Sequence, residues 1–399
     1  MFTSEWMRRA VCRMDARSAN RITCVEDAQR MAHRRVPAPV ENYVEGGAGR
    51  EQTLAANLAA VRSIPLAPRL GLSSGRAPDL RATVLGADIS MPLLLSPVGF
   101  TRMMHPAGDE AGARAAGAAG TIFTLSSMSG HEMESVKGAA TGPLWFQLYF
   151  LGGRAGAEQL VERAMRSGYE AIVVTMDTQV PGDRRRESRY GLSPPLKLDR
   201  RTMTKMARFV APCPRWLLDQ AVDGFQLDLV HARTRKQDGS VMGPDEALLE
   251  WIARPPTWSD LEWIRESFGG PVIVKGVMSI DDAKRAVDGG ASAVIVSNHG
   301  GRQLDGAPGT FSVLRAIAEA LDGEAEVLVD GGIRSGADAV RALMLGARAT
   351  MVGRAWAYGL CAAGEPGIAR ILDVLRADID RTLRLMGAHS LADLHRMAP

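Results

Sequence analysis

The sequence predicts an α/β protein: a (β/α)8 TIM barrel with a helical extension before it and a long insertion after its fourth strand. Three observations predict it. Short apolar runs recur along the chain, amphipathic Ala-rich stretches separate most of them, and nearly every run ends in a polar or glycine-rich tip. Strands apolar on both faces are buried on both faces, as parallel strands covered by helices are. An open doubly wound sheet is the other arrangement of such alternating units.

The runs, in order, are residues 91–97 (MPLLLSP), 121–126 (TIFTLS), 144–149 (LWFQLY), 171–177 (AIVVTMD), 271–275 (PVIVK), 293–298 (AVIVSN), 326–330 (EVLVD) and 349–353 (ATMVG). That makes eight. Helical stretches at 111–119, 156–167, 279–288 and 336–345 lie between them, and 26–35 reads as a helix running into the Pro37/Pro39 turn. About 95 residues separate the fourth run from the fifth, far beyond an ordinary connection. Residues 192–258 are rich in Arg and Pro and predict a helical lid over the mouth, while the first 90 residues form an extension. All 399 residues read as one barrel domain, a size such barrels reach with insertions.

Hydrophobic residues make up 46% of the chain, enough for one large core, and 48 Lys and Arg against 45 Asp and Glu leave a charge of +3. That excess is too small for a nucleic-acid-binding surface. The four cysteines (Cys12, Cys24, Cys213, Cys361) are scattered without a CxxC pair, which fits neither a disulfide scaffold nor a metal site and points to the cytoplasm. No secretory h-region follows the first residues, and no apolar run approaches the roughly 18 residues a membrane-spanning helix needs. Residues 200–218 mix basic and apolar side chains, which suits a lid packed on the barrel or a peripheral contact with an anionic bilayer.

Barrel enzymes place their chemistry at the C-terminal ends of the strands. Here those ends carry Ser126 and Ser127, Gln147 and Tyr149, Thr175 and Asp177, Lys275, Ser297-Asn298-His299, Asp330 with Arg334, and Gly353-Arg354. Any one of these can be a solvated surface group or a satisfied buried one; seven loaded tips together point to a site. The two last tips, 330–336 (DGGIRSG) and Gly353-Arg354, are glycine-rich and carry arginines, which suits a phosphate held by backbone N–H groups. Residues 297–308 (SNHGGRQLDGAP) put a proton acceptor, His299, three residues from an anion receptor, Arg302.

These residues resemble the FMN-dependent L-2-hydroxy acid oxidase/dehydrogenase family, which includes glycolate oxidase, L-lactate dehydrogenases of the cytochrome or quinone type and mandelate dehydrogenase. The matching stretches, from about residue 43 to 391, are YVEGGA from Tyr43, FQLY from Phe146, TMDT from Thr175, VKG from Val274, SNHGGRQLDG from Ser297 and DGGIRSG from Asp330. The resemblance implies oxidation of a small, L-lactate-like 2-hydroxy acid to the 2-keto acid. His299 takes a proton while two electrons pass to FMN, by a hydride or a carbanion route, and then to a quinone, a cytochrome or O2. By the same resemblance Asp177 orients His299, Arg302 and Arg184 hold the substrate carboxylate, and Tyr43 and Tyr149 bond its oxygens. Lys275 sits beside the flavin N1 and C2=O. Pro97, Val98, Gly99, Ser126, Gln147, Thr175, Ser297, Asp330, Gly331, Gly332, Arg334, Gly353 and Arg354 complete the FMN site, and the resemblance implies a homotetramer.

Some positions depart from the family pattern. Three consecutive arginines follow Asp183, and Arg184 fits the catalytic arginine by spacing. Met128 stands where glycolate oxidase has a bulky aromatic, so a flexible side chain lines the substrate pocket. Gly99 rather than alanine favours dehydrogenase over oxidase behaviour. A flavoprotein acting on a peptide- or carrier-bound substrate is the competing reading, with the Arg-rich insertion as the receptor; a non-redox phosphate-binding barrel has no need of SNHGGRQLDG.

Overall fold

The computed structural model describes residues 13–71, 76–190, 207–234 and 240–397. Two short strands come first, β1 (Ala82–Val84) and β2 (Ala87–Ile89), paired as an antiparallel hairpin. The eight strands that follow are β3 (Leu93–Leu95), β4 (Phe123–Ser126), β5 (Leu144–Leu148), β6 (Ala171–Thr175), β7 (Val272–Val277), β8 (Ala293–Val296), β9 (Glu326–Val329) and β10 (Ala349–Val352). They close into a barrel in chain order, β10 returning to β3, with every neighbouring pair parallel. Each apolar run of the sequence thus contributes one strand, and the open sheet is set aside.

Closure gives the apolar side chains two destinations. Leu94, Ile122, Trp145, Val173, Ile273, Ile295, Leu328 and Met351 fill the barrel interior. Residues one position along, such as Leu93, Leu95, Phe146 and Val174, pack outward under the helices. This is the two-fold alternation of a strand expressed on two buried faces.

The extension is not purely helical as expected. Its hairpin joins the interior cluster through Val84 and Ile89, capping the end of the barrel opposite the catalytic tips. The turn places Leu85 and Gly86 at φ +48° and +81°, and the Leu85 N–H is held by Glu326 Oε2 at 3.0 Å. Three-residue strands without a long apolar run leave little periodicity to read.

The insertion carries helices Pro214–Asp223 and Pro244–Ala253, and residues 191–206 and 235–239 lie outside the described set. Helix Pro214–Asp223 is fastened to the loop after β3: Trp216 Nε1 donates to Met103 O at 2.8 Å and Gln220 Nε2 to Arg102 O at 2.8 Å. Arg35 bridges Asp15 at 2.7 Å and Asp219 at 2.8 Å, tying the insertion to the helix Val25–Arg35. Its described part is thus held against the segment after β3 and the helix Val25–Arg35. Of the stretch 200–218, the segment 200–206 lies outside the described residues, while Leu217 and Leu218 are exposed.

Candidate active site

Strand geometry brings distant residues to one rim. Ser126 Oγ donates to Gln147 Oε1 at 2.9 Å, and Gln147 Nε2 donates to Thr175 Oγ1 at 3.0 Å, so the ends of β4, β5 and β6 form one hydrogen-bonded chain. From β7, Lys275 Nζ reaches Ser297 Oγ at 2.8 Å and Asp330 Oδ2 at 3.1 Å. Ser297 Oγ in turn donates a hydrogen bond to Asp330 Oδ1 at 2.6 Å. All six of these side chains are buried.

His299 follows β8 at φ +59°, a left-handed conformation that is uncommon for a residue with a Cβ and marks a constrained position. Its N–H is held by Ser297 Oγ at 3.1 Å. The ring's Nδ1 lies 3.0 Å from Asp177 Oδ1, and Nε2 lies 3.3 Å from the Tyr149 hydroxyl. With Nδ1 donating to the carboxylate, Nε2 is left as the acceptor. Burial lowers the pKa of the imidazole against the opposing pull of Asp177, which favours the neutral ring. Burial also pulls Asp177 upward, but His299 and Lys275 outweigh it and hold the carboxyl below its ordinary value. A Cβ at Gly276, which has φ +106°, would fall 2.6 Å from Asp177 Cβ; glycine there makes room for the carboxylate.

Two arginines, Arg184 and Arg302, lie close enough to feel each other's charge, and Arg184 acts on His299 as well. Arg184 lies at the end of the loop after β6, and its buried Nε has no partner; its nearest side-chain contacts are Gln303 Oε1 at 3.4 Å and Glu187 Oε2 at 3.8 Å. Burial and the adjacent Arg302 cation both lower its pKa, the condition of a cation arranged to receive an anion. Arg302, the second expected carboxylate ligand, already has protein partners. It donates to Tyr43 O at 2.6 Å, Gly46 O at 3.0 Å and Glu187 Oε1 at 2.7 Å, with its guanidinium 4.7 Å from the centre of the Tyr43 ring. Arg185 and Arg186 stay outside, paired with Asp183 and Glu51.

Pro97, Val98 and Gly99 form the wall after β3. Tyr43 Oη donates to Gly99 O at 3.2 Å, and a Cβ on Gly99 would stand 2.8 Å from Met128 Cβ. Glycine at 99 therefore has a packing cause, whichever electron acceptor is used.

At the last two tips Gly331 and Gly332 take φ +92° and +84°, and Gly353 caps the helix Arg354–Met386 with nothing nearer than 3.8 Å to its missing Cβ. A helix N-terminus, an open glycine loop and Arg334 make an anion cradle. Arg354, expected at the phosphate, makes three hydrogen bonds to backbone carbonyls, those of Val44, Gly300 and Gly46, each at 2.8 Å. Burial, with Arg334 and Arg302 nearby, brings its pKa down to about 10, so the cradle holds positive charge in want of an anion.

The family model for FMN-dependent dehydrogenases matches residues 32–398. The chain belongs to that family. It is 38% identical over 377 residues to an L-lactate dehydrogenase of Pectobacterium atrosepticum, covering 94% of this chain and 95% of that one. It is 41% identical over 374 residues to a pre-mycofactocin synthase of Mycobacterium tuberculosis, covering 92% and 91%. Among solved structures, the monotopic membrane protein (S)-mandelate dehydrogenase superposes with a TM-score of 0.83 at 35% identity over 94% of this chain and 98% of that one. Mandelate oxidase with benzoyl-formic acid gives 0.78 at 32% identity over 94% and 97%. This is thus an FMN-dependent oxidoreductase of the 2-hydroxy acid oxidase type.

The residues present fit FMN. The cationic glycine cradle suits its phosphate, and the polar chain from Ser126 to Lys275 suits the edge of a flat heterocycle. Four neighbours were not foreseen from sequence. Glu187 and Gln303 follow Arg184 and Arg302 closely and were within reach of a spacing argument. Asn57, which exchanges two 2.8 Å hydrogen bonds with Asn298, and Trp251, which stacks on Tyr149 at 4.4 Å, come from segments whose sequence carries no such signal.

Proposed function

We propose that this protein oxidises a small, L-lactate-like 2-hydroxy acid to the 2-keto acid, with His299 as the general base. The observation that carries the reading is His299 Nε2, left as acceptor by the Asp177 bond and facing Tyr149, together with Arg184, whose buried Nε has no partner. Arg184 and the Tyr43 hydroxyl orient the carboxylate, with Arg302 beside them, and Tyr149 bonds the oxygen on C2. His299 takes a proton from the substrate, and Asp177 stabilises the imidazolium that results. Lys275, close to Asp330 and Ser297, keeps a positive charge at the cofactor edge. When bound, FMN would supply the two-electron acceptor, with a quinone, a cytochrome or O2 as the onward oxidant.

Colour provides the test. The purified holoprotein should be yellow and bleach anaerobically with L-lactate or a related L-acid but not with the D-enantiomer. An absorbance that stays unchanged with every L-2-hydroxy acid sinks the reading.

A peptide- or carrier-bound substrate is the second reading. Arg302 is already engaged by Glu187 and two carbonyls, which leaves one guanidinium rather than two for a free carboxylate. The likeness to a pre-mycofactocin synthase favours it too. Bleaching by a partner protein, with small acids inert, decides for it.

We further propose a cytoplasmic homotetramer whose insertion, through 200–218, touches an anionic membrane surface. No described helix is long and apolar enough to cross a membrane. Sedimentation with anionic vesicles and light scattering check both points.

A further inference from the structure

Four buried polar atoms of the described residues around His299 have no hydrogen-bond partner: Asp177 Oδ2, Thr178 Oγ1, Arg184 Nε and Trp251 Nε1. Native interiors leave few such groups, and each one calls for a cause. For Asp177 and Arg184 the cause lies in the chemistry already described. Trp251 has no part in it.

Trp251 belongs to the insertion helix Pro244–Ala253. That helix is fixed to the end of β5 by the Gly152 N–H, which donates to Ala247 O at 3.0 Å, and by the buried Ala247 and Leu248. The indole lies on the Tyr149 ring with centroids 4.4 Å apart and planes 29° apart, and the hydroxyl of that same tyrosine is the one 3.3 Å from His299 Nε2. One indole face is thereby covered, so what the residue has left to offer is the edge that carries its N–H. A donor buried without an acceptor loses its hydration with no return unless a ligand brings the acceptor. In the proposed reaction the carboxylate and the C2 oxygen are already taken by Arg184, Tyr43, Tyr149 and His299. The indole therefore reads what lies beyond C2.

We propose that Trp251 is a specificity-determining residue whose Nε1–H donates to an oxygen acceptor on the substrate beyond C2, so that the preferred acids carry a hydroxyl or carbonyl at C3 or C4. This rests on the reading of the site as a 2-hydroxy acid oxidase. A pocket built around a hydrogen bond discriminates against the isostere that lacks it far more strongly than an apolar pocket discriminates between sizes.

Two isosteric pairs test it on the holoenzyme: L-glycerate against L-2-hydroxybutyrate, and L-2,4-dihydroxybutyrate against L-2-hydroxypentanoate. Anaerobic flavin bleaching gives kcat/KM for each. The wild type should favour the oxygenated member of at least one pair by about tenfold or more. In Trp251→Phe, which keeps a ring against Tyr149 but has no N–H, that ratio should fall to about one, the loss appearing in KM. Trp251→His, which retains a ring N–H, should recover part of it. Ratios near one for both pairs in the wild type overturn the proposal, as does a wild-type preference that survives in Trp251→Phe. Should Trp251→Phe fail to fold with FMN, the wild-type ratios and the histidine variant decide. A wild type bleached by no L-2-hydroxy acid removes the underlying reading first, and this inference with it.

Discussion

Asp177 and His299 stand 122 positions apart in the chain, yet Asp177 Oδ1 and His299 Nδ1 lie 3.0 Å from one another across the mouth of the barrel. The contact joins the end of β6 to the end of β8, and its geometry depends on two backbone devices, glycine at 276 and a left-handed His299. This pair fixes which nitrogen of the imidazole is free.

His299→Ala should keep FMN and lose flavin reduction by about 10²–10⁴-fold or more, the contribution of a general base. Retained yellow colour with stopped-flow reduction checks this. A variant reduced at the wild-type rate removes His299 from the base role.

The acid limb of kcat/KM should lie below the ordinary histidine range, because burial lowers the pKa of His299. As pH falls through that value the imidazole gains a proton and activity is lost. Asp177 opposes the lowering, so Asp177→Asn should move the limb to still lower pH while reducing the plateau rate. A limb that moves upward contradicts the pairing.

Glu187 pairs with Arg302 at 2.7 Å and sits 3.8 Å from Arg184, separating two guanidiniums in a nearly buried setting. Glu187→Gln leaves those cations facing each other and should cost about 3 kcal/mol, the range for removing one partner of a buried pair. Denaturant melts and KM for the acid report it; an unchanged midpoint means that the pair is not coupled to folding.

Gly99→Ala should destabilise the protein by about 1–3 kcal/mol through overpacking. The clash is with Met128 Cβ at 2.8 Å, and the Phe100 N–H bond to Met128 O at 2.9 Å prevents the two segments from parting. Met128→Ala keeps that Cβ and should not rescue, whereas Met128→Gly should. Equal rescue by both locates the strain elsewhere, in a double-mutant cycle of the usual kind.

His231, in the insertion, is buried against the edge of Phe146, both ring nitrogens lack partners, and burial lowers its pKa to about 4. The unfolded chain binds a proton near the ordinary value while the folded one does not, so stability falls as pH drops from about 6.5 toward 4. The shift corresponds to about 3 kcal/mol, an order-of-magnitude figure. His231→Phe should flatten the pH dependence of Tm across that window; an unaltered slope assigns the acid sensitivity to other groups.

The sequence by itself determined the barrel and most of the rim. Apolar strands such as 171–175 and 293–296 must be buried on both faces, and a barrel carries their polar ends to one side, so strand order alone puts Gln147, Thr175, Asp177, Lys275 and His299 on one rim. Only the tertiary structure decided what each group touches. Arg302 is held by Glu187 and two carbonyls, Arg354 is spent on the loop at 44–46 and on Gly300, the hairpin closes the opposite end, and Trp251 arrives from the insertion to cover Tyr149. The reason is one of range: periodicity and turn chemistry act between near neighbours in the chain, whereas a guanidinium or an indole takes its partner from whichever distant segment packing brings beside it.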